Sequence, residues 1–328
     1  MKLLLLNHPH SAIFLRQLEE TQKDHPDFFF EEESTEEKRI SLLKEADGIV
    51  LGRLRPGDLE SAEKLKIIFV PWAGVNHLPW KLIRERNIQV AHTHGNARAV
   101  AEKAFQLCLS LLGHVVPYHD DMQKGKWHGF AAGQFEDRWQ TLQNRSCAIL
   151  GFGSIGKNLL NYLLPFQGPF HALKKHIPST LPLGLSSCSN DIDEVIDKSN
   201  VLFLTMPSTP ETKMIISQDR LKRMQGKYLI NVSRGELIDE KALYDALTEG
   251  NLAGAGMDVW FQYPKQRNEI QLPSKYPFHE LENVVMSPHV GGFCEEGHQL
   301  MIQETLQNIE SWLKTGKAKF LADPKLEY

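Results

Sequence analysis

One stretch near the middle of the chain constrains its fold more than any other. An apolar run, Cys147-Ala148-Ile149-Leu150, leads directly into Gly151-Phe152-Gly153-Ser154-Ile155-Gly156, and a helical pattern follows. This order predicts a strand, a tight turn and a helix. Gly151 permits the turn, Gly153 keeps side chains away from the backbone amides, and Gly156 lets the helix pack against the strand.

The same stretch predicts a site for the pyrophosphate of a dinucleotide. Free backbone amides and the positive end of a helix dipole favour a bound anion at such a turn. Gly-x-Gly-x-x-Gly alone is also found in ordinary loops, but the strand before it and the helix after it favour dinucleotide binding. The predicted contacts are Gly151, Gly153, Ser154, Ile155 and Gly156.

Length and composition indicate an ordinary globular protein. The chain has 328 residues, enough for about two domains. Hydrophobic residues make up 41% of the chain and charged residues 24%, as in ordinary globular proteins. A net charge of −4 without a long basic run argues against nucleic acid as a partner.

No run approaches the roughly 18 apolar residues of a membrane helix, and the first apolar run is too short for a signal peptide. The four cysteines form no Cys-x-x-Cys pair, so no metal site is predicted. We expect a cytoplasmic protein that acts on small molecules without a membrane partner.

Short apolar runs, such as a predicted strand from Val201 to Thr205, alternate with helical patterns, such as a predicted helix from Ala97 to Leu112, which is typical of α/β proteins with parallel sheets. We predict two Rossmann-like, doubly wound parallel-sheet domains with an active-site cleft between them. Residues 116–295 form the dinucleotide-binding domain, inserted into a first domain of residues 1–115 plus 296–328. A final amphipathic helix from about Glu296 is expected to return to the first domain or to cross the cleft. The charge-rich segment Glu31 to Arg39 is interpreted as a solvated loop or helix face.

Three reactive side chains follow predicted strands beyond the glycine turn. Arg234 follows the strand that ends at Val232, Asp258 follows Gly256-Met257, and His289 follows Val284 to Pro288. Each residue by itself has a structural explanation, as a surface cation, a cap or one of fourteen histidines. Ligands of open parallel sheets bind at the carboxyl ends of the strands, so their joint placement favours a functional role. Arginine can clamp a carboxylate, and imidazole can transfer the proton that accompanies a hydride.

Ordered blocks over nearly the whole chain resemble the D-isomer-specific 2-hydroxyacid dehydrogenases. The blocks are Gly151 to Gly156, Pro207-Ser208-Thr209-Pro210-Glu211-Thr212, Asn231-Val232-Ser233-Arg234-Gly235, Gly256-Met257-Asp258-Val259 and Ser287-Pro288-His289-Val290-Gly291-Gly292. Ala73-Gly74-Val75 and Val100-Ala101-Glu102 also match. Five blocks in the expected order are far more specific than the glycine turn alone.

The resemblance implies roles for individual residues. Arg234 would bind the carboxylate and carbonyl of the substrate, and His289 would protonate the carbonyl oxygen as NAD(P)H delivers hydride. Asp258 would hold the nicotinamide carboxamide, and Pro207 would contact the cofactor. In the first, substrate-binding domain, the amides of Gly74 and Val75 would receive the carboxylate from the other side of the cleft, and Asn96 corresponds to a substrate-binding asparagine of formate dehydrogenases.

One departure from the family concerns the catalytic histidine. A glutamate usually hydrogen-bonds it, but here the phrase is Asp258-Val259-Trp260-Phe261-Gln262-Tyr263-Pro264, with Tyr263 in the glutamate position. A phenol can orient the imidazole but stabilises its charge much less than a carboxylate. We expect a lower pKa for His289 than in relatives with glutamate. Alternatively, Tyr263 only packs nearby and Gln262 or a water serves His289.

A second departure concerns the cofactor. An NAD-preferring domain normally has a carboxylate at the end of its second strand, for the ribose hydroxyls. Here the strand Phe170 to Leu173 is followed by Lys174 and Lys175, and no Asp or Glu occurs between Gly156 and Asp191. A 2′-phosphate would meet cations here and no repelling carboxylate, which predicts a preference for NADP(H) over NAD(H), unless both lysines are merely solvated.

The leading interpretation is a reductase of small 2-oxo acids such as glyoxylate or hydroxypyruvate, forming D-2-hydroxy acids. The family is commonly dimeric, and the region from Trp127 to Trp139 is a predicted subunit contact. An apolar pocket for a bulkier oxo acid is also suggested by aromatic residues expected to border the cleft, namely Trp72, Trp260, Phe261, Tyr263 and Phe293. Two alternatives remain. One is a formate- or phosphite-type dehydrogenase, suggested by Asn96 and the Asp-Val-Trp-Phe phrase. The other is a dinucleotide-sensing regulator that binds a partner protein and has lost most catalysis, which the missing glutamate would permit.

Overall fold

The computed structural model describes residues 1–6, 11–32, 35–52, 54–134, 136, 138–266 and 268–328. It divides into two units, one formed by Met1–Asn96 with Glu295–Tyr328 and the other by Ala97–Cys294. Each unit contains a parallel sheet flanked by helices, so the predicted α/β class with two Rossmann-like domains is confirmed.

The first unit is built on a five-stranded parallel sheet of short, apolar strands. Its order is β2-β1-β3-β4-β5, so the strand order reverses next to β1 as in doubly wound folds. Leu306 and Ile309 of the last helix pack in the same core cluster as Leu3 and Phe69, which returns that helix to this unit. The strands are β1 (Lys2–Leu5), β2 (Phe29–Glu32), β3 (Gly48–Val50), β4 (Ile67–Phe69) and β5 (Gln89–Ala91), and the helices are α1 (Ala12–Asp24), α2 (Glu36–Glu45), α3 (Asp58–Ser61) and α4 (Trp80–Glu85), with the last helix at Glu295–Thr315.

The second unit contains a seven-stranded parallel sheet that begins with the predicted dinucleotide strand. In chain order it comprises α5 (Ala97–Leu112), α6 (Val115–Gln123), β6 (Cys147–Leu150), α7 (Ser154–Leu163), β7 (Phe170–Leu173), β8 (Ser187–Ser189), α8 (Ile192–Asp197), β9 (Val201–Leu204), α9 (Gln218–Lys222), β10 (Tyr228–Asn231), α10 (Glu240–Thr248), β11 (Gly254–Met257) and β12 (Val284–Met286), and the helix Glu295–Thr315 of the first unit is α11. The sheet order is β12-β11-β10-β9-β6-β7-β8. The order therefore reverses between β6 and β9, where doubly wound folds bind dinucleotides.

The first boundary between the units differs from the predicted one near residue 115. Helix α5 was predicted at the correct residues, but it packs in the second unit. Its Leu107 and Leu111 lie against Gly256 and Gly254 of β11, where added Cβ atoms would meet them at 3.1 and 3.0 Å. Because β11 has no side chains at these glycines, α5 fills the space and becomes part of the second core.

The charge-rich segment before β3 is less solvated than its composition predicted. Arg39 of α2 has an exposed fraction of 0%, and its guanidinium pairs with Asp58, whose Oδ1 accepts from Nε at 3.0 Å. Asp58 also accepts the backbone N–H of Arg55 at 2.6 Å. A buried arginine requires such a partner, which lies 19 residues away in the chain.

Within the described ranges, no individual helix has the length and apolarity needed to cross a membrane. Helices α5 and α6 meet these criteria only as a pair, with a bend of 60° between them.

Candidate active site

The glycine turn after β6 has the geometry that its sequence predicts. Gly151 has φ +109°, which glycine adopts without strain, and a Cβ there would lie 2.5 Å from the backbone nitrogen of Met206. The hydroxyl of Thr205 donates to the carbonyl of Gly151 at 2.8 Å. The turn is therefore tightly packed against the end of β9.

The next two glycines of the turn have opposite surroundings. A Cβ on Gly153 would meet nothing within 4 Å, whereas a Cβ on Gly156 would lie 2.7 Å from the carbonyl oxygen of Gly151 and 2.8 Å from Ile149. Helix α7 begins at Ser154, so the amides of Ser154, Ile155 and Gly156 have no partner within the helix. The open side of Gly153 next to a helix N-terminus fits a dinucleotide pyrophosphate.

The two lysines after β7 differ in their surroundings. Lys174 is half-buried, and its ammonium makes no hydrogen bond or ion pair with the part of the chain that the structure describes. The ammonium of Lys175 lies 2.8 Å from a carboxylate oxygen of Glu211. Glu211 belongs to the loop after β9, so the expectation that no carboxylate lies here is wrong for Lys175. Pro207 begins the same loop and is exposed.

Arg234 is held at the end of β10 by a buried asparagine. Asn231 donates from Nδ2 to the Arg234 carbonyl at 2.9 Å and accepts from the Ser233 amide at 3.0 Å. The guanidinium donates to the Ser233 carbonyl at 2.7 Å and makes no ion pair with any described residue. Burial lowers the pKa of Arg234 below its ordinary value, and the nearby Tyr263 and Glu236 act in the opposite direction. A desolvated guanidinium that makes no ion pair with a described residue favours binding of an external anion.

Asp258 connects the end of β11 to the loop that carries His289. Its carboxylate has an exposed fraction of 1% and accepts from the Ser287 hydroxyl at 2.6 Å, the Val290 amide at 3.0 Å and the Gly291 amide at 2.8 Å. His289 lies between these contacts with φ +59°, an uncommon value for a residue other than glycine. Asp258 therefore stabilises the strained loop conformation that presents the imidazole.

Tyr263 lies beside His289, as its position in the sequence predicts. The ring centroids are 5.5 Å apart, and the phenol oxygen accepts the backbone N–H of Trp260 at 3.0 Å. Burial raises the pKa of Tyr263, which keeps the phenol neutral. Partial burial and the charge of Arg234 lower the pKa of His289, while Asp258 acts in the opposite direction. The second unit thus brings Arg234, Tyr263, Asp258 and His289 together.

The predicted substrate residues of the first unit lie at the ends of β4 and β5. The indole of Trp72 donates to the Gly74 carbonyl at 3.0 Å, and the indole of Trp80 donates to the Val75 carbonyl at 3.0 Å. Within the described residues, the amides of Gly74 and Val75 donate no hydrogen bond. Asn96 is half-buried and immediately precedes α5.

Three residues with clear roles were missed at the level of sequence: Asn231, Ser287 and Glu211. Asn231 and Ser287 lie within the family-like blocks, and polar residues at the ends of buried strands were the available signal. No local pattern indicates that Glu211 reaches Lys175, since 36 residues separate them.

The aromatic residues near His289 do not form the predicted pocket as a group. Trp260 is buried in a core cluster and donates from its indole to the Ser287 carbonyl at 2.8 Å, and Phe261 packs against the same cluster. The Asp-Val-Trp-Phe phrase therefore has a packing role. A cavity of about 330 Å³ borders Trp260, Tyr263, Met286 and Pro288. Among described residues, no group of three or more His, Cys, Asp or Glu side chains could hold a metal ion.

Comparisons with known proteins identify relatives over most of the chain. The D-3-phosphoglycerate dehydrogenase of Escherichia coli is 32% identical over 243 residues, which cover 74% of this chain but 57% of the relative. The glyoxylate reductase of Pyrococcus furiosus is 29% identical over 289 residues, covering 85% of this chain and 83% of the relative. The solved structure of the PH0520 protein of Pyrococcus horikoshii matches with a TM-score of 0.81 at 27% sequence identity. The match covers 99% of this chain and 96% of the PH0520 chain.

A family model also matches residues 105–291, more than half of the chain. It describes the NAD-binding domain of D-isomer-specific 2-hydroxyacid dehydrogenases, and the match includes the glycine turn, Arg234, Asp258 and His289. The chain therefore belongs to the D-isomer-specific 2-hydroxyacid dehydrogenases, a family of nicotinamide-dependent oxidoreductases.

Proposed function

We propose that this chain is an NAD(P)H-dependent reductase that converts small 2-oxo acids such as glyoxylate or hydroxypyruvate into D-2-hydroxy acids. The observation that carries the proposal is the guanidinium of Arg234, which is desolvated, has no ion pair with a described residue and lies near His289. Such a group favours the carboxylate of a substrate. The name of the Pyrococcus furiosus relative supports glyoxylate as the first substrate to test.

The side chains of the second unit supply the remaining chemistry. When bound, the reduced nicotinamide provides the hydride. Arg234 binds the carboxylate of the substrate and polarises the adjacent carbonyl. The guanidinium thereby stabilises the negative charge that develops on the carbonyl oxygen. His289, in its imidazolium form, donates the proton to that oxygen. Tyr263 orients the imidazole without adding a negative charge. Gly74, Val75 and Asn96 remain predicted substrate contacts.

Asp258 has two compatible roles in this proposal. Three of its hydrogen bonds hold the loop that carries His289. Among the described residues, its Oδ2 accepts a hydrogen bond from the Gly291 amide alone, so we propose that a second lone pair accepts from the nicotinamide carboxamide. We therefore assign Asp258 to both loop positioning and cofactor binding.

We propose that the cofactor is held by the glycine turn and that NADP(H) is preferred over NAD(H). The ammonium of Lys174 supports this preference, since it has no partner among the described residues and a 2′-phosphate would bring it one. The ion pair of Lys175 with Glu211 reduces the contribution of the second lysine. The preference is tested by comparing kcat/KM for NADPH and NADH; a tenfold or greater preference for NADH would refute it.

The proposed activity is tested by steady-state turnover with a panel of 2-oxo acids, with formate and phosphite tested in the oxidative direction. We expect turnover of glyoxylate, and Arg234→Gln should lower kcat/KM by about 100-fold or more while the dissociation constant of the reduced cofactor stays unchanged. Arg223→Gln is the matched control, because Arg223 is an exposed arginine of the same unit that pairs with Asp197.

Two results would contradict the proposal. Turnover of formate or phosphite without turnover of any 2-oxo acid would identify the alternative dehydrogenase. Tight cofactor binding without any turnover would instead identify a dinucleotide sensor.

We also propose that the chain forms a homodimer through the segment from Trp127 to Trp139, in which residues 135 and 137 lie outside the described residues. Trp127, Phe130 and Trp139 are exposed by 57%, 88% and 58%. They border a cavity of about 730 Å³ on the surface of the second unit. Exposed aromatic side chains in one patch are typical of protein interfaces.

A further inference from the structure

The loop that follows β9 carries a carboxylate to the predicted cofactor site. In the sheet, β6 lies between β9 and β7. Glu211 belongs to the loop after β9, and its carboxylate lies 2.8 Å from the ammonium of Lys175, which follows β7. The ion pair therefore crosses the carboxyl end of β6, where the glycine turn begins.

Hydrogen bonds within the loop hold Glu211 in this position. The Thr212 hydroxyl accepts the Thr209 amide at 2.8 Å and donates to the Pro207 carbonyl at 2.8 Å. The amides of Thr212 and Lys213 donate to the Thr209 carbonyl, both at 3.0 Å. Glu211 thus lies in a closed turn, and the turn directs its carboxylate toward β7.

The charges at this edge are unevenly compensated. Lys175 has a negative partner, whereas the ammonium of Lys174 has none among the residues described. A 2′-phosphate carries nearly two negative charges and needs the cations that a carboxylate neutralises. A 2′-hydroxyl, in contrast, can donate a hydrogen bond to a carboxylate.

We propose that Glu211 is a specificity-determining residue that opposes the 2′-phosphate of NADP(H) and favours the free ribose of NAD(H). Its carboxylate forms an ion pair with Lys175, so the ammonium of Lys175 is less available to the phosphate. The same carboxylate also repels the phosphate directly. Glu211 thus limits the preference for NADP(H) that Lys174 supports, and it supplies from a different loop the carboxylate that usually follows the second strand. This inference rests on the dinucleotide site of the proposed function and deepens it.

Both side chains of the pair are accessible to solvent, with exposed fractions of 52% for Lys175 and 74% for Glu211. Exposed ion pairs contribute little to folding stability. Glu211→Gln is therefore expected to fold normally, and its effect on nucleotide binding can be measured directly.

The test compares two nucleotides that differ only in the 2′-phosphate, adenosine 2′,5′-bisphosphate and adenosine 5′-monophosphate. Their dissociation constants are measured by calorimetry on the wild type and on Glu211→Gln. We expect the substitution to shift the ratio of affinities about fivefold or more toward the bisphosphate at low salt, and less at high ionic strength. Lys175→Met in the Glu211→Gln background should remove most of the gain.

Asp245→Asn is the matched control, because it removes one carboxylate from the exposed Lys241–Asp245 pair of the same unit. An affinity ratio that changes less than twofold in Glu211→Gln would overturn the inference. A shift toward the monophosphate, an equal shift in Asp245→Asn, or no binding of either nucleotide to the wild type would do the same.

These outcomes are separate from the fate of the proposed reductase activity. The two nucleotides contain no nicotinamide and require no substrate, so their binding does not depend on turnover. A shifted ratio without turnover would retain the role of Glu211 and reject the reductase. Turnover of 2-oxo acids with an unchanged affinity ratio would retain the reductase and reject the role of Glu211.

Discussion

At the scale of single residues, the proposed proton transfer depends on the contact between Tyr263 and His289, whose ring centroids are 5.5 Å apart. In the proposed reduction the imidazolium of His289 is the proton donor, so kcat/KM should fall as pH rises through the pKa of His289. Because that pKa is lowered, the fall should begin below the range typical of a free histidine. Tyr263→Glu should move the fall to higher pH by about one unit, since an adjacent carboxylate stabilises the imidazolium. The measurement is the pH profile of kcat/KM for reduction.

Tyr263→Phe is the control for this prediction. It retains the ring and removes the phenol oxygen, which accepts the Trp260 amide. Since phenylalanine adds no charge, the position of the alkaline limb should not change, even where the rate falls. An alkaline limb that is the same in Tyr263→Glu and the wild type would show that the residue at this position does not set the pKa of His289.

The residues that carry charge were easier to predict than the residues that hold them. Arg234, Asp258 and His289 follow apolar strands, and a parallel sheet brings strand ends to one edge. Ser287 binds Asp258 across 29 positions of sequence, and Glu211 binds Lys175 across 36. Such pairs depend on how loops close, which hydrophobic periodicity does not encode.

At the scale of elements, two glycines of the turn between β6 and α7 are expected to affect different properties, one the binding of the cofactor and the other the stability of the fold. Gly153→Ala should leave the free energy of unfolding nearly unchanged, because its Cβ would meet nothing within 4 Å. It should weaken NADPH binding, because the added methyl group would fill the side where the pyrophosphate is proposed to bind. Gly156→Ala should lower the free energy of unfolding by about 1–3 kcal/mol, because its Cβ would lie 2.7 Å from the Gly151 carbonyl. Urea unfolding and NADPH titration measure the two effects.

The two alanine variants serve as controls for each other. Equal losses of stability would mean that the surroundings of the two glycines do not differ in solution. Unimpaired NADPH binding by Gly153→Ala would contradict the placement of the pyrophosphate beside Gly153.

The elements themselves were largely predictable. The strands at β6, β9 and β10 and the helix α5 occur where apolar periodicity indicates them, within one or two residues. The unit to which α5 belongs was not predictable, because its apolar face fits any apolar surface of suitable shape. Helix α5 packs against β11 because Gly254 and Gly256 leave space there for Leu111 and Leu107.

At the scale of the whole molecule, the exposed aromatic patch predicts a dimer. Light scattering should give twice the 37.4 kDa of one chain. Phe130→Asp should yield monomers, because a charge in an apolar interface is costly to desolvate. Leu183→Asp is the matched control, since Leu183 is exposed by 94% and lies outside the patch. A monomeric wild type, or dissociation by the control substitution as well, would argue against this interface.

The sequence by itself determined the α/β class, the strand, turn and helix of the dinucleotide site, and the family, because these depend on local periodicity and on short blocks in a set order. Only the tertiary structure decided that α5 joins the second unit, that Arg39 is buried against Asp58, that Asp258 holds the His289 loop and that Glu211 reaches Lys175. The physical reason is common to all four. Each depends on a contact between distant parts of the chain, and its free energy comes from packing or charge compensation that exists only after the sheets have formed.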